Sequence, residues 1–396
     1  MWVVNYRSDM KIRDLVKEII HASEKAAHLA RAVCSEQSLF KLLVEEKTGE
    51  EKNKRFVHDF KTLADVLVQE TINHDLTRKF PSLVDNIHGE ENNTFTNTLG
   101  ESVTIEIKKT VEETAKLLNK VLNGNFEAAT LLAKVIHQDV AFDISLDQPE
   151  LDTGIPDGTI GLWIDPIDST SQYIRCLPSV QHETGLYTQG LQSVLVLIGV
   201  YSLSSGHPVI GVINQPFTDR DSAADSWTGT HWWGVSYDEV HANSIPSSLS
   251  NTDEHHLVIS ANESPSLCDD LSSEYVTVKA SGGGYKLLCV IQNLVSVFLL
   301  SKPSCYKWDT CSPHAILLSL GGGVLDLHRA LDIMNENRGL TIDGLCATLK
   351  RDAQLKYNHP DLVNHHPGQK WCNSGGLLAY RNIGTAVRLL QRLARA

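Results

Sequence analysis

Apolar residues recur three or four positions apart in several stretches of the N-terminal part of the chain. Such spacing places them on one face of a helix. It predicts one or two amphipathic helices within residues 11–46, and further helices at residues 60–80, 111–123 and 126–136. Residues 147–158 are rich in Pro, Asp and Gly, which predicts a loop.

The middle of the chain instead carries short apolar runs that are typical of strands. These runs cover residues 160–164, 185–189, 192–203 and 208–214. Because the links between them are short, we expect antiparallel pairing. From residue 257 onward, apolar runs alternate with helical segments, which is typical of an α/β arrangement. We therefore expect two halves: residues 1–218, with helices and an antiparallel sheet, and residues 219–396, with α/β architecture.

The composition favours a folded protein that binds a small ligand. The chain has 396 residues, 42% of them hydrophobic, which allows a large core or two domains. Its formal net charge of -13 argues against a general nucleic-acid binder or a membrane-surface protein. A polyanionic ligand can still bind where metal cations and a few Lys or Arg side chains reverse the local field.

Cysteine usage and hydropathy indicate the compartment. The eight cysteines form no Cys-x-x-Cys pair, so we expect free buried thiols in a reducing environment rather than a zinc site or a disulfide framework. No apolar run reaches the roughly 18 residues of a membrane helix, and the first ten residues lack a signal-peptide core. We expect a soluble cytoplasmic protein.

The strongest candidate for chemistry follows the strand predicted at residues 160–164. Asp165 and Asp168 lie three residues apart, on either side of Pro166. We expect the proline to end the strand and Asp168 to be a helix N-cap, which leaves the amides of Ser169 and Thr170 free to face an anion. Carboxylates that hold metal ions and a phosphate would then meet at one point.

Three further acidic positions lie beside apolar or turn residues: Asp65, the pair Glu90 and Glu91, and Asp309. Each taken alone is ambiguous, because a carboxylate on a helix is usually solvated and an Asp before a helix is usually only a cap. Carboxylate oxygens without His or Cys suit hard Mg²⁺ better than zinc.

The order of these motifs carries a resemblance. Gly89-Glu90-Glu91, Asp165-Pro166-Ile167-Asp168-Ser169-Thr170 and Trp308-Asp309 follow one another along the chain. This arrangement resembles the lithium-sensitive, magnesium-dependent phosphatase superfamily that includes the inositol monophosphatases. Matches at residues 59–70, 211–217, 284–286 and 307–317 resemble most closely the members that act on inositol polyphosphates. The likeness runs from about Asp14 to Tyr380.

The resemblance implies a fold and an activity. The fold is a five-layer α/β/α/β/α sandwich, of mixed α/β and α+β character, with the active site in the cleft between two halves. The activity is Mg²⁺-dependent, Li⁺-inhibited hydrolysis of the 1-phosphate of inositol 1,4-bisphosphate and inositol 1,3,4-trisphosphate by an activated water. The resemblance implies a monomer whose partners are small inositol phosphates, with no nucleic acid or membrane partner.

The resemblance also assigns roles to residues. Glu90, Asp165 and the carbonyl of Ile167 would hold one ion, and Asp165, Asp168 and Asp309 a second, while Glu91 acts through water on a third, weaker one. Thr170, oriented by Asp65, would position and help to deprotonate the water. The implied metal site is thus Asp65, Glu90, Glu91, Asp165, Ile167, Asp168 and Asp309, and the implied catalytic residues are Asp65, Glu90 and Thr170.

Substrate contacts are implied in two places. Asp168, Ser169 and Thr170 would surround the scissile phosphate, and Gly282, Gly283 and Lys286 would form a facing wall with Lys286 on a second phosphate. A glycine run alone equally predicts a flexible turn. The chain departs from the resemblance at Asn262 and Ser264, which stand where Ser and Lys are expected. A cation is therefore missing there, and Lys286 or another basic residue would have to replace it.

Two other functions stay open. A 3'(2'),5'-bisphosphate nucleotidase would use the same metal ligands but would need an adenine pocket. A phosphoinositide-binding or scaffold protein could keep the fold without catalysis. The presence of every implied ligand argues against the second alternative.

Overall fold

The computed structural model describes residues 9–35, 44–47, 60–97, 99–140, 144–221, 223, 226–247, 254–361 and 367–395. The described helices are α1 (Ile12–Ser35), α2 (Leu63–Lys79), α3 (Val111–Val121), α4 (Phe126–His137), α5 (Thr170–Arg175), α6 (Pro265–Leu271), α7 (Gly283–Ile291), α8 (Lys307–Ser319), α9 (Leu327–Glu336), α10 (Ile342–Asp352) and α11 (Ile383–Leu393). The described strands are β1 (Asp9–Lys11), β2 (Val44–Glu46), β3 (Phe60–Thr62), β4 (Ile87–Gly89), β5 (Thr94–Thr96), β6 (Ser102–Thr104), β7 (Gly154–Pro156), β8 (Ile160–Asp168), β9 (Val180–Gln181), β10 (Tyr187–Gln189), β11 (Leu195–Ser202), β12 (Pro208–Asp221), β13 (Ser226–Tyr237), β14 (Val240–Asn243), β15 (His256–Ser260), β16 (Val276–Ala280), β17 (Val297–Leu300), β18 (Gly323–Asp326) and β19 (Leu377–Tyr380).

The helices predicted from apolar spacing are confirmed except at one end of two ranges, where Val44–Glu46 forms β2 and Phe60–Thr62 forms β3. The prediction for residues 11–46 corresponds to α1, and part of that range lies outside the described residues. The apolar face of α1 packs against β11, β12 and β13, and that of α2 packs against β8 and α1. Both helices therefore cover the same face of one sheet.

That sheet has six strands in the order β14-β13-β12-β11-β8-β4. Neighbouring strands are antiparallel, as predicted, except that the short edge strand β4 runs parallel to β8. The parallel edge matters for the site because β4 ends immediately before Glu90, beside the end of β8.

The second sheet has five strands in the order β16-β15-β17-β19-β18. β15 is parallel to both β16 and β17, whereas β19 is antiparallel to β17 and β18. Helices α7 and α8 lie between the two sheets, and α9, α10 and α11 contact the second sheet and one another. Three hydrophobic clusters fill the spaces between the layers. The result is the predicted five-layer α/β/α/β/α sandwich.

The predicted boundary between halves, at residues 218 and 219, falls inside β12. The six-stranded sheet continues through β13 and β14 to Asn243, and the second sheet begins at His256. The strand order therefore places a division by sheets in the segment between those two residues. The sequence did not indicate that the sheet continues beyond residue 218, because residues 219–256 are polar. They are polar because β13 is a partly exposed strand near the edge of the sheet.

The expectation of eight free thiols is wrong for one pair. Cys34, in the last turn of α1, and Cys176, directly after α5, form a disulfide with a Cα–Cα distance of 6.8 Å. They lie 142 residues apart in sequence, so no local spacing could reveal the pairing. The other six cysteines are free. Within the described residues, no helix has the length and apolar character that a membrane crossing requires.

Candidate active site

A β-bulge in β8 brings the first two acidic residues to one side of the sheet. On β11, Leu195 pairs with Asp168 and Leu197 pairs with Asp165, so β8 carries one additional residue between these two pairings. Residues three apart on a regular strand point to opposite faces of the sheet. The inserted residue brings the side chains of Asp165 and Asp168 to the same face. Pro166 does not end the strand as predicted. It lies in the bulge, where the absence of an amide proton costs no ladder hydrogen bond.

The turn after β8 also differs from the prediction. The N-cap of α5 is Ser169 and not Asp168, and Ser169 has left-handed backbone angles of φ 72° and ψ 41°. A non-glycine residue in this region is strained and is typical of functional turns. The Ser169 hydroxyl is buried without a hydrogen-bond partner. Asp168 is the last residue of the strand, and its carboxylate lies beside that of Asp165.

Asp309 completes a cluster of three carboxylates. Carboxylate oxygens of Asp165, Asp168 and Asp309 all lie within 4.8 Å of one another. Asp309 lies in the first turn of α8, where its Oδ2 accepts a hydrogen bond from the Tyr306 amide. Asp309 therefore helps to cap the start of α8, whose N-cap is Tyr306, and is also part of the cluster.

The electrostatics of the cluster favour a cation. Burial raises the pKa of Asp165 well above its ordinary value, and the charges of Glu90, Asp168 and Asp309 raise it further. Burial and the charge of Asp168 do the same for the pKa of Asp309. Burial raises the pKa of Asp168 to about 6, although Lys286 and two amides oppose the shift. Carboxyl groups that repel one another in this way are stabilised in their charged form by a bound cation.

Glu90 and Glu91 follow β4, and both contact Lys47, which the sequence prediction missed. Lys47 Nζ lies 2.6 Å from Glu90 Oε1 and 2.5 Å from Glu91 Oε1. The side chain of Gln69, on α2, accepts from the Glu91 amide at 3.0 Å and donates to the Glu91 carbonyl at 2.5 Å. Gly89 leaves room for Gln69, because a Cβ there would lie 1.9 Å from Gln69 Oε1. Burial raises the pKa of Glu91 to about 8.

Asp65 lies near the acidic cluster but does not contact Thr170 as predicted. Its Oδ2 accepts from the Thr62 amide at 2.6 Å and from the Thr62 hydroxyl at 2.5 Å, which forms the capping box of α2. The Thr170 hydroxyl donates instead to the carbonyl of Ile167 at 3.2 Å. Asp65 Oδ1 is buried without a hydrogen-bond partner, and burial raises the pKa of Asp65 to about 7. Asp65 thus keeps one carboxylate oxygen available.

The glycine run has an ordered role that the sequence left open. The Gly283 and Tyr285 amides donate to the two oxygens of Asp168 at 3.2 Å and 3.0 Å. Gly282 has φ +79°, and a Cβ there would lie 2.5 Å from Ser169 Oγ. The run is therefore a close approach between α7 and the end of β8 rather than a flexible turn.

Lys286 is buried within the same wall. Its ammonium donates to the carbonyls of Ala280 and Gly282 and lies 5.2 Å from the centre of the Phe298 ring. Burial lowers its pKa, although Asp168 opposes the shift. Asn262 is exposed at the rim, and its carbonyl accepts from Lys302. Ser264 is the N-cap of α6, so its side chain serves the helix.

All of the site residues predicted from the sequence except Asp65 line one cavity of about 490 Å³. The sequence prediction missed several of its other lining residues, which are Lys47, Tyr306, Trp308, Gly368, Lys370 and Trp371. Tyr306 and Trp308 stack with ring centres 4.6 Å apart and an interplanar angle of 6°. The cavity therefore combines an acidic end, a glycine-rich wall and an aromatic surface.

The site fits a hard divalent cation. The converging groups offer only oxygen atoms, and Asp165 Oδ1 is buried without a hydrogen-bond partner. An unpartnered buried carboxylate oxygen among like charges is costly unless a cation neutralises it. This donor set suits a metal of the magnesium type.

Comparison with known proteins identifies the class to which the fold and site belong. Residues 15–362 match the model of the inositol monophosphatase family. The chain therefore belongs to that family.

Two relatives differ widely in their similarity to this chain. The chain is 44% identical to inositol polyphosphate 1-phosphatase of Homo sapiens, over 97% of this chain and 98% of the relative. It is 26% identical to 3'(2'),5'-bisphosphate nucleotidase 1 of Mus musculus, over 89% of this chain and 96% of the relative. The chain is thus much more similar to the first.

Solved structures agree on the fold. The extragenic suppressor protein suhB of Bartonella henselae superposes with a TM-score of 0.51 at 13% identity, over 97% of this chain and 99% of that chain. An IMPase/NADP phosphatase solved with Mg²⁺ and phosphate superposes with a TM-score of 0.51 at 9% identity, over 98% and 97%. At these identities the likeness shows the fold alone.

Proposed function

We propose that the chain is a Mg²⁺-dependent, Li⁺-inhibited phosphatase that removes the 1-phosphate from inositol 1,4-bisphosphate and inositol 1,3,4-trisphosphate. The observation that carries this proposal is the convergence of Asp165, Asp168 and Asp309 at one end of the cavity. The 44% identity to a relative named inositol polyphosphate 1-phosphatase supports the choice of substrate.

The acidic residues would hold the metal. We assign Glu90, Asp165 and the Ile167 carbonyl to one ion, and Asp165, Asp168 and Asp309 to a second, with Glu91 on a third and weaker one. Mg²⁺ bound there would supply an activated water and would neutralise charge on the phosphate and leaving oxygen. Asp165 is shared by both main sites, so its loss should cost more than the loss of Glu91.

Asp65 and Thr170 would position the metal-bound water and help to deprotonate it. A carboxyl group with a pKa of about 7 and one free oxygen can accept a proton near neutral pH. In the structure Thr62 is the hydroxyl that contacts Asp65, while Thr170 contacts the Ile167 carbonyl. Thr170 would therefore have to exchange its partner to take part in the predicted pair.

The remaining cavity would bind the substrate. We assign the amides of Ser169 and Thr170 to the scissile phosphate, where the start of α5 favours an anion. Gly282 and Gly283 would leave space for the inositol ring, and Asn262 and Lys286 would contact more distant groups. Lys286 is already bonded to two carbonyls, so its contribution would be mainly through charge.

Phosphate release from a panel of substrates tests the proposal. Inositol 1,4-bisphosphate, inositol 1,3,4-trisphosphate and adenosine 3',5'-bisphosphate are compared with and without Mg²⁺ and Li⁺. We expect turnover of both inositol phosphates that requires Mg²⁺ and falls with Li⁺. Preference for adenosine 3',5'-bisphosphate would show a nucleotidase, and tight binding of inositol phosphates without turnover would show a non-catalytic relative.

We further propose that the chain acts as a cytoplasmic monomer with two cooperating halves. The family resemblance supports all three statements, and the two-sheet architecture supports the halves. Light scattering on the purified protein tests the monomer. Cell fractionation tests the location.

A further inference from the structure

Three lysines line the cavity within the described part of the chain: Lys47, Lys286 and Lys370. A cavity that takes a substrate with several phosphates needs cations besides those held by the metal ligands. The three lysines differ in whether their ammonium groups already have partners within the protein.

Two of the three are engaged by the protein itself. Lys47 lies between Glu90 and Glu91, at 2.6 Å and 2.5 Å, so two carboxylates offset its charge. Lys286 is 6% exposed and donates to two backbone carbonyls. Neither ammonium is free to turn towards a ligand without losing a partner in a buried setting.

Lys370 is different. It is exposed, and within the described residues its ammonium has no hydrogen-bond or ion-pair partner. Its Nζ lies 5.0 Å from the centre of the Trp371 ring, which favours a position over that ring. The backbone beneath it is fixed, because Tyr306 donates its hydroxyl hydrogen to the Gly368 carbonyl at 3.1 Å and the Lys370 carbonyl accepts from the Asp361 amide at 2.8 Å. A charged donor is thus presented to the cavity on an ordered support.

We infer that Lys370 binds a phosphate of the inositol polyphosphate other than the one that is hydrolysed. The cation expected at position 264 is absent from this chain, because residue 264 is a serine. The Ser264 side chain caps α6. Lys370 supplies a positive charge from a different part of the fold, beside Trp371 and in the cavity that Trp308 also lines. This inference rests on the proposed function, because it names a substrate contact of the same site.

Steady-state kinetics of Lys370→Ala with inositol 1,3,4-trisphosphate test the inference. We expect KM to rise about tenfold or more, as for the loss of one charge-assisted hydrogen bond, and kcat to change by less than about twofold because the metal ligands are untouched. Inhibition by inorganic phosphate, which competes at the hydrolysed position, should keep its wild-type constant. Lys370→Arg should restore most of the affinity.

Lys350→Ala is the matched control, since Lys350 is exposed on α10 at the outer layer and its loss changes the net charge equally. Melting temperatures confirm that each variant is folded. A wild-type KM in Lys370→Ala, or an equal loss in Lys350→Ala, would overturn the inference. A weaker inhibition by inorganic phosphate would overturn it too, because Lys370 would then serve the hydrolysed group. Absence of turnover by the wild type would instead reject the proposed function, and this inference with it.

Discussion

The backbone amide of Tyr285 donates to Asp168 Oδ2 at 3.0 Å, and so connects the helical layer between the sheets to a proposed metal ligand. The Gly283 amide donates to the other oxygen of the same carboxylate at 3.2 Å. The N-terminal end of α7 carries a partial positive charge that favours this contact. The position of Asp168 therefore depends on how closely α7 approaches β8, and that distance depends on glycine.

Gly283→Ala should weaken metal binding without unfolding the protein. The new Cβ would lie 2.9 Å from Cys305 Sγ and 3.0 Å from Asp309 Oδ1, so the Asp309 side chain or α7 must shift. Changes beside metal ligands typically cost about 10–100-fold in metal affinity. Isothermal titration of the metal-free protein with Mg²⁺ measures this loss.

Gly344→Ala provides the control for the same substitution. Gly344 lies in the first turn of α10, where a Cβ makes only ordinary contacts of 3.4 Å or more. We expect unchanged Mg²⁺ affinity and a stability equal to or slightly above that of the wild type. Wild-type Mg²⁺ affinity in Gly283→Ala would show that α7 does not set the geometry of Asp309.

Asp165→Asn should abolish turnover while leaving the melting temperature in chelator nearly unchanged. The substitution removes a shared metal ligand, but it also removes one of several buried charges that repel one another. Phosphate release and thermal unfolding in EDTA measure the two effects. Asp332→Asn, exposed on α9, is the control for loss of one negative charge. Turnover close to wild type in Asp165→Asn would contradict the metal assignment.

Much of the fold was predictable because its signals are local. The spacing of apolar residues determined the helices at 63–79 and 111–121 to within a few residues. The prediction of a five-layer sandwich rested on the motif resemblance, because the spacing of apolar residues does not indicate which sheet a strand joins. The extent of the six-stranded sheet was not predictable, because the first part of β13 has only exposed and half-buried residues and lies in a polar segment.

The candidate site was predictable in its members but not in its geometry. Asp165 and Asp168 were recognised, yet the bulge that unites them depends on pairing with β11, which lies 27 residues or more further along the chain. The contact of Lys47 with Glu90 and Glu91 is likewise a tertiary contact without a motif. For Lys370 the available signal was a basic residue beside Trp371, in a loop that carries no periodicity.

Stabilisation by Mg²⁺ should increase with pH. Burial raises the pKa of Asp168 to about 6, of Asp65 to about 7 and of Glu91 to about 8, all above the values of an unfolded chain. Such groups bind protons more tightly in the folded state, so their contribution to stability is complete below about pH 4 and is lost as pH rises through the folded pKa. A bound cation offsets this loss.

Melting temperatures with Mg²⁺ and with EDTA, taken between about pH 5.5 and pH 8.5, measure the effect. The difference between the two conditions should grow steadily across that range. Buried histidines such as His314, whose pKa burial lowers to about 3, shift stability in the opposite direction, but equally in both conditions. A difference independent of pH would mean that the metal does not interact with these carboxylates.

Reduction of the Cys34–Cys176 disulfide should destabilise the protein. The bond closes a segment of 142 residues between α1 and the helix that follows the metal motif, and bonds of this kind typically stabilise by about 2–4 kcal/mol. We expect Cys34→Ser, or treatment with dithiothreitol, to lower the denaturation midpoint, and Cys346→Ser, which removes a free thiol, to leave it nearly unchanged. Thiol titration of the unfolded, unreduced protein should find six reactive groups. Eight would mean that the two sulfurs are reduced, as a cytoplasmic location favours, and that their contact is one of packing alone.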